Sequence, residues 1–130
     1  MVNFVIGDFV ARLNIAKDHH QKSIIISYSK IILILLKMFE ELGIIRGFYI
    51  LDQTKIEVYL KYNKSKCVFS NIKIVSKPSR RIYVDIIKLI KYKNKYQGEI
   101  LIMSTNEGVL FDLECIKRNI GGEIILRIVI

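Results

Sequence analysis

Two apolar runs near the C-terminus, Glu99-Ile100-Leu101-Ile102-Met103 and residues 123–129, bracket a segment rich in hydroxyl and glycine residues. Short β-branched runs bounded by turn-forming residues are strands of a sheet. Between them stand Ser104-Thr105-Asn106-Glu107-Gly108, a stretch with helical spacing at 112–119, and Gly121-Gly122. That order confines the polar loop to one end of a sheet. Ser104 and Thr105 bring hydroxyls and Asn106 an amide, each able to donate and to accept. Gly108 permits positive φ and close approach of backbone to a ligand. A plain turn uses the same residue types, and Gly121-Gly122 also suits the exit from a helix. The segment therefore takes its meaning from its setting.

That setting is basic. Among 130 residues, 21 are Lys or Arg and 12 are Asp or Glu, a formal net charge of +9. Such an excess neutralises phosphates and releases counterions, so nucleic acid is the leading partner. A solvated basic surface and an anionic membrane are the alternatives. The segment around the single proline, Lys77-Pro78-Ser79-Arg80-Arg81, gathers three of these cations, with Tyr83 two residues on. Arginine grips phosphate bidentately and tyrosine stacks on a base or ribose. The bland counterpart is a solvated turn with Tyr83 half in the core.

Apolar residues make up 52 % of the chain, ample for one domain or two small halves. The Pro78 segment is the strongest break, and the division falls there, into residues 1–76 and 77–130. In the first half, Ile6, Phe9, Val10, Leu13 and Ala16 recur at helical spacing over 4–16, with Asn3 as N-cap. Ser23-Ile24-Ile25-Ile26-Ser27 is a buried strand. Ser29 caps a second helix that runs to about Leu42, where Gly43 is the C-cap. Residues 44–51 and 55–62 form a hairpin turned by Asp52-Gln53-Thr54, and 68–75 a further strand. The second half reads as a strand at 82–84, a short helix at 86–92, the strand from Glu99, the loop 104–108, a helix at 112–119 and a last strand. The fold class is α+β: two small α/β halves packed together, the first α-β-α-β-β, the second mostly β with short helices.

Other chemistries find little support. Cys67 and Cys115 have no second Cys or His at ligand spacing, so no metal is expected, and both read as buried free thiols. His19-His20 closes the first helix among polar residues, a solvated end. No phosphate-cradling glycine loop, paired carboxylates or nucleophile with a partnering His appears. Neither an enzyme nor a cofactor is expected. The apolar stretch 23–39 is interrupted by Tyr28-Ser29-Lys30 and Lys37, short of a membrane span. Ile, Lys, Asn, Tyr and Phe abound while Ala and Pro are scarce, the mark of AT-rich coding. The start, Met1-Val2-Asn3-Phe4-Val5, has no basic or Arg-rich leader.

The chain resembles the eighth protein of the small ribosomal subunit, in its bacterial and organellar form. The resemblance rests on Ile6-Gly7-Asp8 through Arg12-Leu13, Ser29-Lys30 through Gly43-Ile44-Ile45, and Leu60-Lys61-Tyr62. More specific are Ile74-Val75-Ser76-Lys77-Pro78 through Arg81-Ile82-Tyr83, Ser104-Thr105 through Gly108-Val109, and Gly121-Gly122-Glu123-Ile124-Ile125. It implies a two-part protein that binds the central domain of small-subunit rRNA early in assembly, beside neighbouring small-subunit proteins. The implied RNA contacts are Ser104, Thr105 and Asn106 on a loop shaped by Gly108. Tyr83, Gly122 and Glu123 lie on the same surface, and Lys77, Arg80 and Arg81 supply cations. Arg12 and Lys30 mark a second rRNA contact in the first half.

The chain departs from the family at several points. Asn106 and Glu107 stand where a third hydroxyl and a basic residue are usual, so Glu107 must turn away, towards a cation such as Lys117 or Arg118, or accept from a base. Ser79-Arg80 replaces Gly and an apolar residue, and Asn14-Ile15 removes one charge near Arg12. Extra Lys and Tyr appear at 91–97. Together with AT-rich coding and the missing leader, these changes point to an organelle-encoded protein of the mitochondrial ribosome, with plastid and bacterial cytoplasm as alternatives. An RNA-binding translational regulator outside the ribosome is the alternative function.

Overall fold

A computed structural model describes residues 4–130; the expected N-cap, Asn3, lies outside them. The chain forms two compact units, Phe4–Ser70 and Asn71–Ile130, both mixed α+β.

In the first unit, helix α1 (Phe4–Asp18) buries Ile6, Phe9, Val10, Leu13 and Ala16, the stripe that a 3.6-residue period lays along one side. Strand β1 (Ser23–Ser27) leads to α2 (Lys30–Leu42), which buries Ile32, Leu35, Leu36, Met38 and Phe39. Phe9 and Phe39 stack with centroids 5.8 Å apart, joining the two helices. Ser29 occupies the N-cap of α2 in extended conformation, without a side-chain cap bond. Gly43 ends the helix at φ 77°, a left-handed position that a side chain would strain, and donates its N–H to the Glu40 carbonyl.

Strands β2 (Ile45–Ile50) and β3 (Lys55–Leu60) follow, and the sheet order is β1-β3-β2, all pairs antiparallel. Their turn is held at Asp52, whose Oδ1 accepts from the Thr54 amide (2.6 Å) and hydroxyl (2.7 Å). Those two bonds hold the Asp52 carboxyl below its ordinary pKa. Alternation along β3 buries Ile56, Val58 and Leu60. The expected α-β-α-β-β order stands, extended by a small hairpin, β4 (Tyr62–Asn63) and β5 (Lys66–Cys67).

The second unit is built on one sheet, β6-β10-β8-β9, with β7 also paired to β10. Its strands are β6 (Asn71–Ile74), β7 (Tyr83–Val84), β8 (Glu99–Thr105), β9 (Gly108–Phe111) and β10 (Gly122–Val129). Helices α3 (Ile86–Lys95) and α4 (Asp112–Arg118) pack Leu89 and Cys115 on Leu101, Met103 and Ile124. Asp85 caps α3 by accepting from the Lys88 amide at 2.8 Å. Beneath the helices, Asp112 is 1 % exposed. Its Oδ2 lies 2.8 Å from Lys93 Nζ and accepts from the Leu101 amide at 3.1 Å, while Oδ1 accepts from the Leu113 amide.

Several boundaries differ from the sequence reading. The expected strand 68–75 is regular only over Asn71–Ile74, and α3 runs three residues past 92. The loop 104–108 is a tight hairpin instead: Ser104 and Thr105 continue β8 and pair with Val109 and Gly108 of β9. Gly121-Gly122 is not the left-handed exit of α4. Asn119 performs that at φ 58°, its side chain being one of the few that tolerate it. Cys67 is half-buried and Cys115 buried; both are free, and burial pushes both thiols up in pKa.

Candidate nucleic-acid interface

The sequence-predicted residues of the second unit gather at one end of its sheet. Glu123 of β10 pairs with Tyr83 of β7 on one side and Ser104 of β8 on the other. Directly paired residues of antiparallel strands share a face, so Tyr83, Glu123 and Ser104 form a row across three strands. Adjacent strands lie about 4.8 Å apart, which puts Tyr83 and Ser104 about 10 Å from each other. Tyr83 is 64 % exposed, not half in the core, and its ring faces solvent. Glu123, at 4 % exposure, is a buried member of the row. That burial makes it unfit to touch RNA directly.

Glycine makes the row possible by its size. A Cβ on Gly122 would stand 2.5 Å from the Ser104 carbonyl oxygen and 2.9 Å from Thr105 Cγ2. One on Gly121 would stand 2.5 Å from the Val84 carbonyl oxygen. Neither glycine has positive φ; both are needed for close strand approach.

The hairpin tip divides the expected RNA ligands by role. Thr105 Oγ1 donates to the Gly108 carbonyl (2.8 Å) and accepts from the Glu107 amide (3.1 Å), so this hydroxyl closes the turn. Gly108 takes φ 108° with open space around it, and glycine is required there by conformation. The Ser104 hydroxyl and Asn106 amide, by contrast, have no hydrogen-bond partner among the described residues. They are the groups of the tip left to bond a ligand. Glu107 meets Arg118 at 3.1 Å, the first of the two outcomes expected for it; Arg118 also holds Glu114 at 2.9 Å. These carboxylates raise the Arg118 pKa. Of the two cations the sequence offered to Glu107, Lys117 and Arg118, the structure selects Arg118.

The basic segment is equally defined. Lys77 and Arg80 exchange both backbone bonds at 2.9 Å, leaving Pro78-Ser79 as a two-residue tip. Buried Ser76 accepts from the Ile82 amide at 2.9 Å and fastens this turn to the residue before Tyr83. Lys77, Arg80 and Arg81 are exposed, with no ion pair among the described residues. Arg12 and Lys30 belong to the other unit. Arg12 is engaged by Asp8 (2.9 Å) and the Ile25 carbonyl (3.4 Å), while Lys30 is exposed at the start of α2. Among the described residues no three His, Cys, Asp or Glu side chains converge as for a metal, and no helix is long and apolar enough to cross a membrane.

Residues 5–129 match the family model described as Ribosomal protein S8. The small ribosomal subunit protein uS8m of Acanthamoeba castellanii is 35 % identical over 124 residues, 95 % of this chain and 98 % of the relative. The uS8 proteins of Helicobacter pylori and Helicobacter acinonychis are 34 % and 35 % identical over 132 residues, covering 98 % of this chain and 99 % of theirs. A match from end to end, at this identity, with the Ser-Thr hairpin and glycine pair at the heart of one sheet, places the chain in the ribosomal protein S8 family.

Proposed function

We propose that this protein, a structural component of the small ribosomal subunit by its family, binds the central domain of small-subunit rRNA and helps that domain assemble. The observation that carries the reading is the row Tyr83, Glu123, Ser104, with the unpartnered Ser104 hydroxyl and Asn106 amide at its open end. A-form RNA hides base edges in a deep groove, so proteins read irregular loops, 2′-hydroxyls and phosphate geometry. Small polar groups on a rigid hairpin suit that task. Tyr83 offers a stacking face, while Lys77, Arg80 and Arg81 take phosphates. Glu123 acts from beneath the surface, inside the row. Arg12 and Lys30 make a second rRNA contact, weaker at Arg12 because Asp8 already holds it. We place the protein in a mitochondrial ribosome, on its AT-rich coding and its likeness to uS8m.

The deciding experiment pairs co-sedimentation on small subunits with binding to a central-domain rRNA fragment. Binding to RNA without sedimentation would mark a translational regulator acting outside the ribosome. Joint replacement of Ser104 and Asn106 by Ala is expected to weaken binding of the fragment about 5- to 150-fold, two bonds at roughly 0.5–1.5 kcal/mol each, with thermal stability unchanged. Thr105→Ala should instead loosen the turn itself, and Thr105→Ser should restore it. Unaltered affinity in the double variant would reduce the tip to a plain turn.

The Pro78 turn should behave differently, since phosphate contacts carry no sequence information. Arg80→Gln with Arg81→Gln is expected to weaken cognate and unrelated RNA alike. The slope of log affinity against log salt should flatten by about 0.7–0.9 for each phosphate lost. A slope equal to wild type would place both arginines in bulk solvent.

A further inference from the structure

The first unit has a second surface of the same chemical kind, built from other residues. Its sheet buries Ile26, Ile56, Val58 and Leu60 on one face. On the opposite face the register sets Ile25, Glu57 and Tyr49 in one row and Ser23, Tyr59 and Gly47 in the next. Here lies a groove of about 440 Å³, lined by Lys22, Arg46, Gly47, Tyr49 and Tyr59.

Each lining residue has a structural reason to be there. Pairing of β2 with β3 slips between Ile45 and Gly47, so Arg46 is the extra residue of a bulge. Bulges re-aim side chains, and this one delivers Arg46 to the groove. Gly47, opposite Tyr59, brings no side chain of its own, and the Glu40 carboxylate comes within 3.5 Å of where its Cβ would stand. Lys22 stands at the other edge, its carbonyl pinned by the Leu60 amide at 3.0 Å. Neither Lys22 nor Arg46 has an ion-pair partner among the described residues.

The tyrosines meet edge to face, centroids 5.7 Å apart and planes at 87°. In a perpendicular pair one ring covers a single face of the other and hides neither of its own. Tyr49, on an edge strand, is 65 % exposed. Tyr59 is fixed by donating to Glu57 Oε1 at 2.9 Å, and Ser23 donates to Oε2 at 3.3 Å. The Glu57 carboxylate, the one acid in these rows, thus has both its oxygens engaged by hydroxyls of the same face.

We propose that this sheet face binds a single-stranded RNA segment, a base stacking on the Tyr49–Tyr59 pair and backbone phosphates meeting Lys22 and Arg46. Each nucleotide of a single strand carries one flat ring and one negative charge, which is the repeat this groove offers: rings at the centre, unpaired cations at both edges. A protein partner would need carboxylates at both rims and an apolar surface between them. Stacking is tolerant of sequence, because every base has a π-face. The site is separate from the Ser104 hairpin and does not depend on it.

The test measures fluorescence anisotropy of a labelled oligouridylate, which forms no structure of its own, with the full chain. Tyr49→Ala is expected to weaken binding about tenfold or more, and Tyr49→Phe by less than about twofold, since the ring stacks and the hydroxyl does not. Arg46→Gln should flatten the salt dependence. Ser104→Ala should leave this probe untouched while weakening the central-domain fragment, which keeps the two readings separable. Wild-type affinity in Tyr49→Ala would overturn the proposal. So would equal binding of an RNA duplex of the same length, or a loss in Ser104→Ala matching that in Tyr49→Ala. Melting curves of the exposed-site variants should match wild type.

Discussion

Asp112→Ala should cost the second unit about 3–5 kcal/mol of stability, the range for removing one member of a buried ion pair. The carboxylate, 2.8 Å from Lys93 Nζ, also accepts from the Leu101 and Leu113 amides. Its loss leaves a cation whose side chain is only 14 % exposed with the neutral Glu99 carbonyl in place of a counter-charge, and a buried amide without its acceptor. It also separates α3, β8 and α4, which this one side chain joins. Replacing both partners with apolar residues of similar volume, Asp112→Leu with Lys93→Met, should recover the part of the loss due to the uncompensated charge but not that due to the orphaned Leu101 amide. Urea unfolding followed by circular dichroism measures both. If Asp112→Ala stays within about 1 kcal/mol of wild type, the pair is not holding the unit together.

Gly122→Ala is expected to damage both the second unit's sheet and the proposed RNA-binding row with a single methyl. The added carbon would press on the Ser104 carbonyl at 2.5 Å, a backbone atom that cannot swing aside. Either β10 moves off β8 or the hairpin tip tilts. Overpacking of this kind costs about 1–3 kcal/mol, and the displacement falls on the residues proposed to touch RNA. Affinity for the central-domain fragment should therefore drop more than Ser104→Ala alone causes, and the melting temperature should fall with it. Gly98→Ala, where a Cβ meets nothing within 4 Å, is the matched control. Native melting and native RNA affinity in Gly122→Ala would show that the strands have slack the register does not suggest.

Much of this fold is readable in the residues, and the failures have causes. Helix α1 and the alternation of β3 are pure periodicity, and Gly43 at φ 77° is the stop its type announces. Strand β9 is hidden because Val109-Leu110-Phe111 runs without a polar break into Asp112, the first residue of α4. An apolar run of that length has no period of its own, so only its pairing with β8 identifies it. The same pairing turns an apparent five-residue loop into a two-residue tip. In the candidate site, residue types point to Ser104, Asn106 and Tyr83. Their division of labour does not show: Thr105 spends its hydroxyl on the turn, and Glu123 is covered. Those facts depend on neighbours distant in sequence. The glycine pair is the sharpest case, since two glycines after a helix signal left-handed backbone, whereas here Asn119 supplies it and the glycines supply room.

Strand β10 pairs with β6, β7 and β8, and all three precede it in the chain. During synthesis the ribosome releases residues in order, at about 5–20 per second. Until residues 122–129 have emerged, β6 and β7 have no strand to join, and β8 with β9 is an isolated hairpin, marginal in water. A nascent chain therefore cannot present Tyr83 and Ser104 in one row, however long its basic segments have been exposed. Because the shared strand follows all three of its partners, the row proposed to meet RNA can form only after residues 122–129 have left the exit tunnel.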